Sequence, residues 1–218
     1  AFTTLTGSLR YATFSDSSDD TEAAGSRFSG QAGIGYQRGE HRVQVNLQSS
    51  ERLPNLIERF GNLGSFKGNA DLAAESALSG DINYQWQGAA YQFNTTAFAR
   101  QSDNTIAPVF NSQGVGRYIN IDESIFYGLE WQVEAPLGAL QLSSSGSWQR
   151  GWASSLLKVY DQKQVPGFYP LSVRHQLSGT PLPGLTWQGS YIYQAGLYFD
   201  RANSTMATAK HQFNSALS

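Results

Sequence analysis

Arginine and aromatic residues recur in three long connections between the regular segments of this chain. A guanidinium group pairs with anions and stacks on aromatic faces, so this combination suits an anionic, aromatic ligand. The alternative is that these side chains only pack one loop against another. The candidates for ligand contact, in chain order, are Arg59, Phe60, Phe66, Phe110, Arg117, Tyr118, Tyr160, Phe168 and Tyr169.

No combination of residues indicates an enzyme, a metal centre or a cofactor. Cysteine is absent, and the three histidines, at positions 41, 175 and 211, lie far apart in the sequence. A net charge of −2 without a basic run predicts no nucleic-acid partner. One acidic stretch departs from EF-hand spacing and is interpreted as a solvated loop rather than a cation site; it contains Asp16, Asp19, Asp20 and Glu22.

Strict alternation of apolar and polar residues defines the elements that must position these groups. From Leu78 to Trp86 the apolar residues hold the even positions, and after the turn Gly88-Ala89 the pattern resumes towards Arg100, with Phe98 as its clear exception. Such alternation predicts strands with one apolar and one polar face. We expect the even positions of 78–86 and the odd positions of 125–133 to face lipid.

About ten such segments follow one another, and their connections alternate between short turns and long loops. The short turns are residues 38–40, 88–89, 136–138 and 181–184, and the long connections are 15–26, 51–75, 104–121, 152–170 and 200–210. This alternation predicts an up-and-down antiparallel sheet with one plain end and one elaborated end. The short turns are expected on the periplasmic side.

The composition of the polar faces indicates that they line a water-filled lumen rather than face bulk solvent. Charged residues make up 15% of the chain, against about 25% in a typical soluble domain. The segments run about 9–14 residues, which is long enough to cross a bilayer when tilted, and no stretch approaches 18 consecutive apolar residues. The charged residues that we expect to face the lumen are Asp81, Arg100, Glu130 and Glu134.

Three short motifs, the last in two parts, resemble those of TonB-dependent outer-membrane receptors. Residues 50–61 read Ser-Glu-Arg-Leu-Pro-Asn-Leu-Ile-Glu-Arg-Phe-Gly, and residues 68–75 read Gly-Asn-Ala-Asp-Leu-Ala-Ala-Glu. Tyr-Ile-Asn-Ile at 118–121 and Tyr-Gly-Leu-Glu at 127–130 follow in the order of the family. Each motif stands at an expected junction between a loop and a strand, and the resemblance covers nearly the whole chain.

The resemblance implies an all-β, antiparallel transmembrane barrel of 22 strands, of which residues 1–218 would supply about ten, near strands 11 to 20. The plug domain, the segment that engages TonB and the final strands would then be absent. An open sheet cannot sit in lipid with unpaired edges, so we expect these strands to belong to a larger barrel in the outer membrane.

The function implied by the resemblance is active transport of a scarce nutrient, most often a ferric siderophore, with cobalamin, haem and copper as other cargoes. The implied partners are outer-membrane lipid, the plug domain, TonB through the missing N-terminal region, and a small-molecule metal chelate. The lumen-facing charges would pair either with the plug or with their neighbours on the wall.

Two other interpretations of the strand pattern remain open. One is a self-contained ten-stranded outer-membrane barrel, with or without enzyme activity; pairing of residues 5–11 with 211–217 would favour it. The other is a secreted β-sandwich that binds a partner, since its strands would alternate in the same way.

Overall fold

The computed structural model describes residues 1–18, 21–61, 64, 66–110, 115–155 and 157–217, with backbone alone at 14–18, 21–25, 107, 109–110 and 121–122. Ten long strands and two short ones form the fold. They are β1 (Phe2–Ser18), β2 (Thr21–Arg38), β3 (His41–Arg52), β4 (Phe66–Lys67), β5 (Glu75–Gln87), β6 (Gln92–Phe110), β7 (Gly116–Leu137), β8 (Leu140–Ala153), β9 (Lys163–Gln164), β10 (Leu171–Leu182), β11 (Leu185–Ala195) and β12 (Lys210–Leu217), with one helix among the described residues, α1 (Leu56–Phe60).

The long strands form a single sheet in which each pairs with its neighbours in sequence. The order is β1-β2-β3-β5-β6-β7-β8-β10-β11-β12, and these pairings are antiparallel. The predicted up-and-down sheet of about ten strands is therefore confirmed. Within the described residues β1 and β12 are the two ends of the sheet and do not pair with each other, which argues against a closed ten-stranded barrel. The single sheet also argues against a β-sandwich, which consists of two packed sheets.

Two predicted connections are wrong, because the strands continue through them. Residues 15–26 are not a loop, since β1 pairs with β2 as far as Ser18 and Thr21. Likewise β6 and β7 pair through residues 104–121 as far as Phe110 and Gly116. Apolar alternation marks only the part of a strand that has one apolar face. Backbone pairing does not require that pattern, so it continues beyond the alternating part of the strand. Of the acidic stretch, Asp19 and Asp20 lie outside the described residues, as do the side chains of Asp16 and Glu22.

The sheet exposes its apolar face instead of burying it. The register aligns Ile82 with Ala97 and Ala97 with Leu129, so the predicted even and odd positions share one face. On that face Leu78 is 62% exposed and Leu129 41% exposed. Soluble monomers rarely expose apolar surface on this scale. No large side chain among the described residues is fully buried, so the apolar face is a surface for contact with lipid.

No helix in the described ranges has both the length and the apolar character needed to cross a membrane. The one described helix, α1, has five residues and lies in a connection.

Trypsin added to intact cells that carry the complete protein is expected to cut after Lys158 and to spare Arg38. Both side chains are exposed, but Lys158 lies in the long connection after β8 and Arg38 lies at the short turn after β2. Outer-membrane barrels place short turns in the periplasm and longer loops outside. Cleavage at Arg38 in intact cells, with Lys158 cut only after lysis, would mean the opposite orientation. Mass spectrometry of the released peptides distinguishes the two sites.

Candidate functional site

A capped helical turn opens the first long connection at the elaborated end of the sheet. The Asn55 side chain accepts a hydrogen bond from the Glu58 backbone amide at 2.8 Å, and the Glu58 carboxylate accepts one from the Asn55 amide at 2.7 Å. This reciprocal pair is a capping box, which satisfies two amide donors that a helix start leaves free. The motif at residues 50–61 therefore fixes the position where α1 begins.

A charge network, here termed the rim cluster, ties this turn to the sheet; its members are Arg52, Glu58, Glu75 and Arg100. Arg52 donates from Nη1 to Glu58 at 3.0 Å and from Nη2 to Glu75 at 3.1 Å. Arg100 donates to the other oxygen of Glu75 at 3.2 Å. The Ile106 amide also donates to Glu75, which is 9% exposed. One buried carboxylate thus joins β3, β5 and β6.

The rim cluster also sets the ionisation of Arg52. Partial burial opposes the charged guanidinium, but hydrogen bonds to Glu58 and then to Glu75 outweigh it, so the pKa of Arg52 is raised from its usual value. Burial disfavours a charge and bonds to opposite charges favour it. Arg52 therefore remains a cation that bridges two carboxylates.

The end of the first connection docks on β7. Asn69 donates from Nδ2 to the Tyr118 carbonyl oxygen at 3.0 Å, and Asn120 both accepts from the Ala73 amide and donates to the Ala73 carbonyl oxygen. The rings of Phe66 and Tyr118 meet edge to face, with centroids 4.7 Å apart. These contacts bring two predicted ligand residues, Phe66 and Tyr118, into one group.

The other predicted residues of this loop region differ in how far a ligand can reach them. Arg117 is exposed and lies beside Lys67 in the pairing of β4 with β7. Arg59, by contrast, is only 7% exposed, and Phe60 is half-buried at the end of α1. The backbone of Phe110 pairs with Gly116, while its side chain lies outside the described part. Arg117 is thus the more accessible cation.

A second group forms where the connection after β8 meets the connection after β11. The Arg201 guanidinium lies over the Tyr160 ring, 4.9 Å from its centroid. Asn203 accepts from the Gln164 amide at 2.7 Å and donates to the Gln164 carbonyl oxygen at 2.9 Å. Because two successive loops interlock in this way, the structure adds Arg201 to the predicted residues. The signal available in the sequence was an arginine in the last long connection.

Phe168 connects the loop after β8 to the inward wall of the sheet. The Phe168 and Phe126 rings lie 5.5 Å apart, while the half-buried Tyr169 follows Phe168 directly.

The Asp200 carboxylate accepts backbone hydrogen bonds from Ser204 and Thr205, which lower the pKa of Asp200. The turn after Asp200 is consequently held by a charged acceptor, which supports the position of Arg201.

The inward wall is polar and hydrogen-bonded along its length. Asp81 accepts from Asn46 Nδ2 at 2.7 Å, and Glu134 accepts from Gln132 at 3.1 Å. Glu130 lines a cavity of about 510 Å³, and Arg100 lines another of about 470 Å³ beside Phe98, Phe126 and Asp81. Of the four predicted lumen charges, the structure pairs Arg100 with the wall through Glu75.

No group of three or more His, Cys, Asp or Glu side chains in the described ranges has the geometry to hold a metal ion. The candidate ligand contacts at the elaborated end include the exposed Arg117, the Arg201 guanidinium over Tyr160 and the paired rings of Phe66 and Tyr118. Such groups recognise anions and π systems.

Three solved structures resemble this chain in fold. They are the ferric yersiniabactin uptake receptor FyuA from Yersinia pestis (14% identity, TM-score 0.76), the siderophore receptor PiuA from Acinetobacter baumannii (16%, 0.78) and the copper transporter OprC (16%, 0.77). Each match covers 99% of this chain but only 35%, 34% and 38% of the respective structure. This chain thus spans about a third of their length. At these identities the likeness shows the fold alone.

No curated protein matches the chain. The family described as TonB dependent receptor-like, beta-barrel, matches residues 2–216. That match accounts for the long antiparallel strands, the exposed apolar face and the polar inward face. The chain belongs to the TonB-dependent receptor β-barrels of the outer membrane.

Proposed function

We propose that this chain forms part of the wall and ligand-binding end of a receptor that takes up an anionic metal chelate, namely a ferric siderophore, with energy delivered through TonB. The observation that carries the proposal is the Arg201 guanidinium lying over the Tyr160 ring at the elaborated end. A planar cation on an aromatic ring presents the mixed surface that an anionic, aromatic chelate requires.

The relatives support the same cargo class. FyuA and PiuA are described as receptors for a ferric chelate and a siderophore. OprC is described as a copper transporter, so a bare copper ion is the second candidate. Soft ligands such as Cys and Met select copper in its reduced form, but this chain has no Cys and one Met. The side chains of the elaborated end therefore fit a chelate better than a bare ion.

The partners follow from the shape of the wall. The inward face carries the carboxylates of Asp81, Glu130 and Glu134 beside open cavities, and a barrel of 22 strands encloses a lumen wide enough to need a plug. We infer that a plug domain packs against this face and that TonB acts on the receptor through a segment N-terminal to the plug.

Replacing Arg117 with glutamine or Tyr160 with alanine is expected to weaken chelate binding about 5- to 30-fold each, since one cation–π or charge contact is worth about 1–2 kcal/mol. Binding of a panel of ferric catecholate, hydroxamate and carboxylate chelates to the complete receptor measures this effect. Arg42→Gln is the matched control, because Arg42 lies beside the short turn at the opposite end.

Uptake of radioactive iron tests the energy source separately from ligand binding. Uptake that stops in cells without TonB while surface binding persists supports TonB energisation, and uptake that continues contradicts it. If Arg117→Gln and Tyr160→Ala leave binding of every bound chelate unchanged, the proposed site is wrong.

A further inference from the structure

A groove with mixed charge lies on the outward face at the tip of the β2–β3 hairpin. It has a volume of about 580 Å³ and is lined by Tyr36, Arg38, Gly39, Glu40, His41 and Val43. The register pairs Tyr36 with Val43 and Arg38 with His41, in continuation of the pair Ile34 and Val45. These side chains therefore extend the lipid-facing surface to the short-turn end of the wall.

Two titratable groups of this groove, His41 and Glu40, are each hydrogen-bonded to a side chain of β5. His41 Nδ1 lies 2.8 Å from the Tyr84 hydroxyl, and the two rings stack with centroids 6.1 Å apart. When the Tyr84 hydroxyl donates to Nδ1, the imidazole proton resides on Nε2 and is available to another acceptor. Glu40 accepts from the Trp86 indole through Oε2 at 3.1 Å, and within the described ranges its Oε1 has no hydrogen-bond donor.

Arg38 supplies the second donor of the groove. Its side chain is exposed, and no ion pair or hydrogen bond engages it among the residues that the structure describes. A fixed imidazole, an open guanidinium and an open carboxylate thus lie within one hairpin tip. Tyr36 and Trp86 flank them, and aromatic residues of this kind mark the headgroup level in outer-membrane barrels.

We propose that this groove binds the phosphoethanolamine headgroup of a phospholipid. Arg38 and His41 Nε2 donate to the phosphate oxygens, and Glu40 Oε1 accepts from the primary ammonium group. Both ends of a zwitterionic headgroup then meet an opposite charge or a donor. A headgroup with only a negative charge would meet Glu40 as a like charge, and a quaternary choline offers no N–H to the carboxylate.

The experiment is a lipid titration of the complete receptor followed by native mass spectrometry. Phosphatidylethanolamine, phosphatidylglycerol and phosphatidylcholine with identical acyl chains are added to Arg38→Gln, Glu40→Gln and unchanged protein. Arg42→Gln is the control, because Arg42 is the next arginine on β3 but donates to Gln44 on the other face. Heat-modifiable mobility on gels verifies that each variant has folded.

We expect Arg38→Gln to weaken retention of phosphatidylethanolamine at least fivefold while Arg42→Gln leaves it unchanged. Glu40→Gln should reduce the preference for phosphatidylethanolamine over phosphatidylglycerol. Equal losses in Arg38→Gln and Arg42→Gln would overturn the site, because a diffuse charge effect would explain them. A preference that Glu40→Gln leaves unchanged would overturn the assignment of the ammonium group to Glu40, and with it the headgroup.

Discussion

Replacing Leu129 with arginine is expected to lower the free energy of unfolding of the receptor in lipid by about 2–4 kcal/mol. Leu129 is 41% exposed and pairs with Ala97 on one side and Trp148 on the other. It lies near the middle of the part of β7 that pairs with β8, at residues 124–137. An arginine at the bilayer midplane must give up hydration or distort the bilayer, which accounts for the cost.

The matched control for this change is Gln132→Arg, on the other face of the same strand. Gln132 borders the polar cavity of the inward wall, so its replacement should cost much less. Equilibrium unfolding in liposomes measures both variants. Spin labels at the two positions provide a second measurement: a label at 129 should respond to a lipid-soluble quencher and a label at 132 to a water-soluble one. Water at both positions would contradict the assignment of the apolar face to lipid.

Replacing Glu75 with alanine is expected to release the first long connection from the sheet. Glu75 accepts from Arg52, Arg100 and the Ile106 amide, and hydrogen bonds to charged groups contribute about 1.5–3 kcal/mol. The two guanidinium groups are 45% and 47% exposed, so water compensates part of the loss. We therefore expect local opening to become easier by about 2 kcal/mol, or about 30-fold.

Hydrogen exchange measures this opening directly. The amides of Glu58, Arg59 and Ile106 should exchange about 30-fold faster in Glu75→Ala, whereas those in the middle of β7 should not change. Glu51→Ala is the matched control, since Glu51 precedes Arg52 and its side chain has no hydrogen bond or ion pair within the described ranges. Arg52→Lys should have an intermediate effect, because an ammonium group lacks the fork that bridges two carboxylates. Unchanged exchange in Glu75→Ala would mean that the rim cluster does not hold the connection.

Long-range contacts placed the functional groups, and the sequence could not predict them. Arg52 and Glu75 are 23 positions apart, and Tyr160 and Arg201 are 41 apart, yet each pair is in contact. Such contacts depend on which strands lie side by side and how the loops fold over them. The same holds for the burial of Arg59, which the sequence suggested as a ligand contact.

Alternation and turn length in the sequence were enough to predict the strands, their two faces and their order in the sheet. Side chains of a strand point alternately to opposite faces, so alternation of apolar and polar residues assigns each side chain to one face. Short turns bring consecutive strands side by side, so these strands pair with each other. Tertiary pairing determines how far the hairpins extend, as at residues 15–26 and 104–121, because backbone pairing needs no apolar pattern. It also decided that the rim cluster forms, because four charged groups from separate segments meet only when the sheet has brought their strands together.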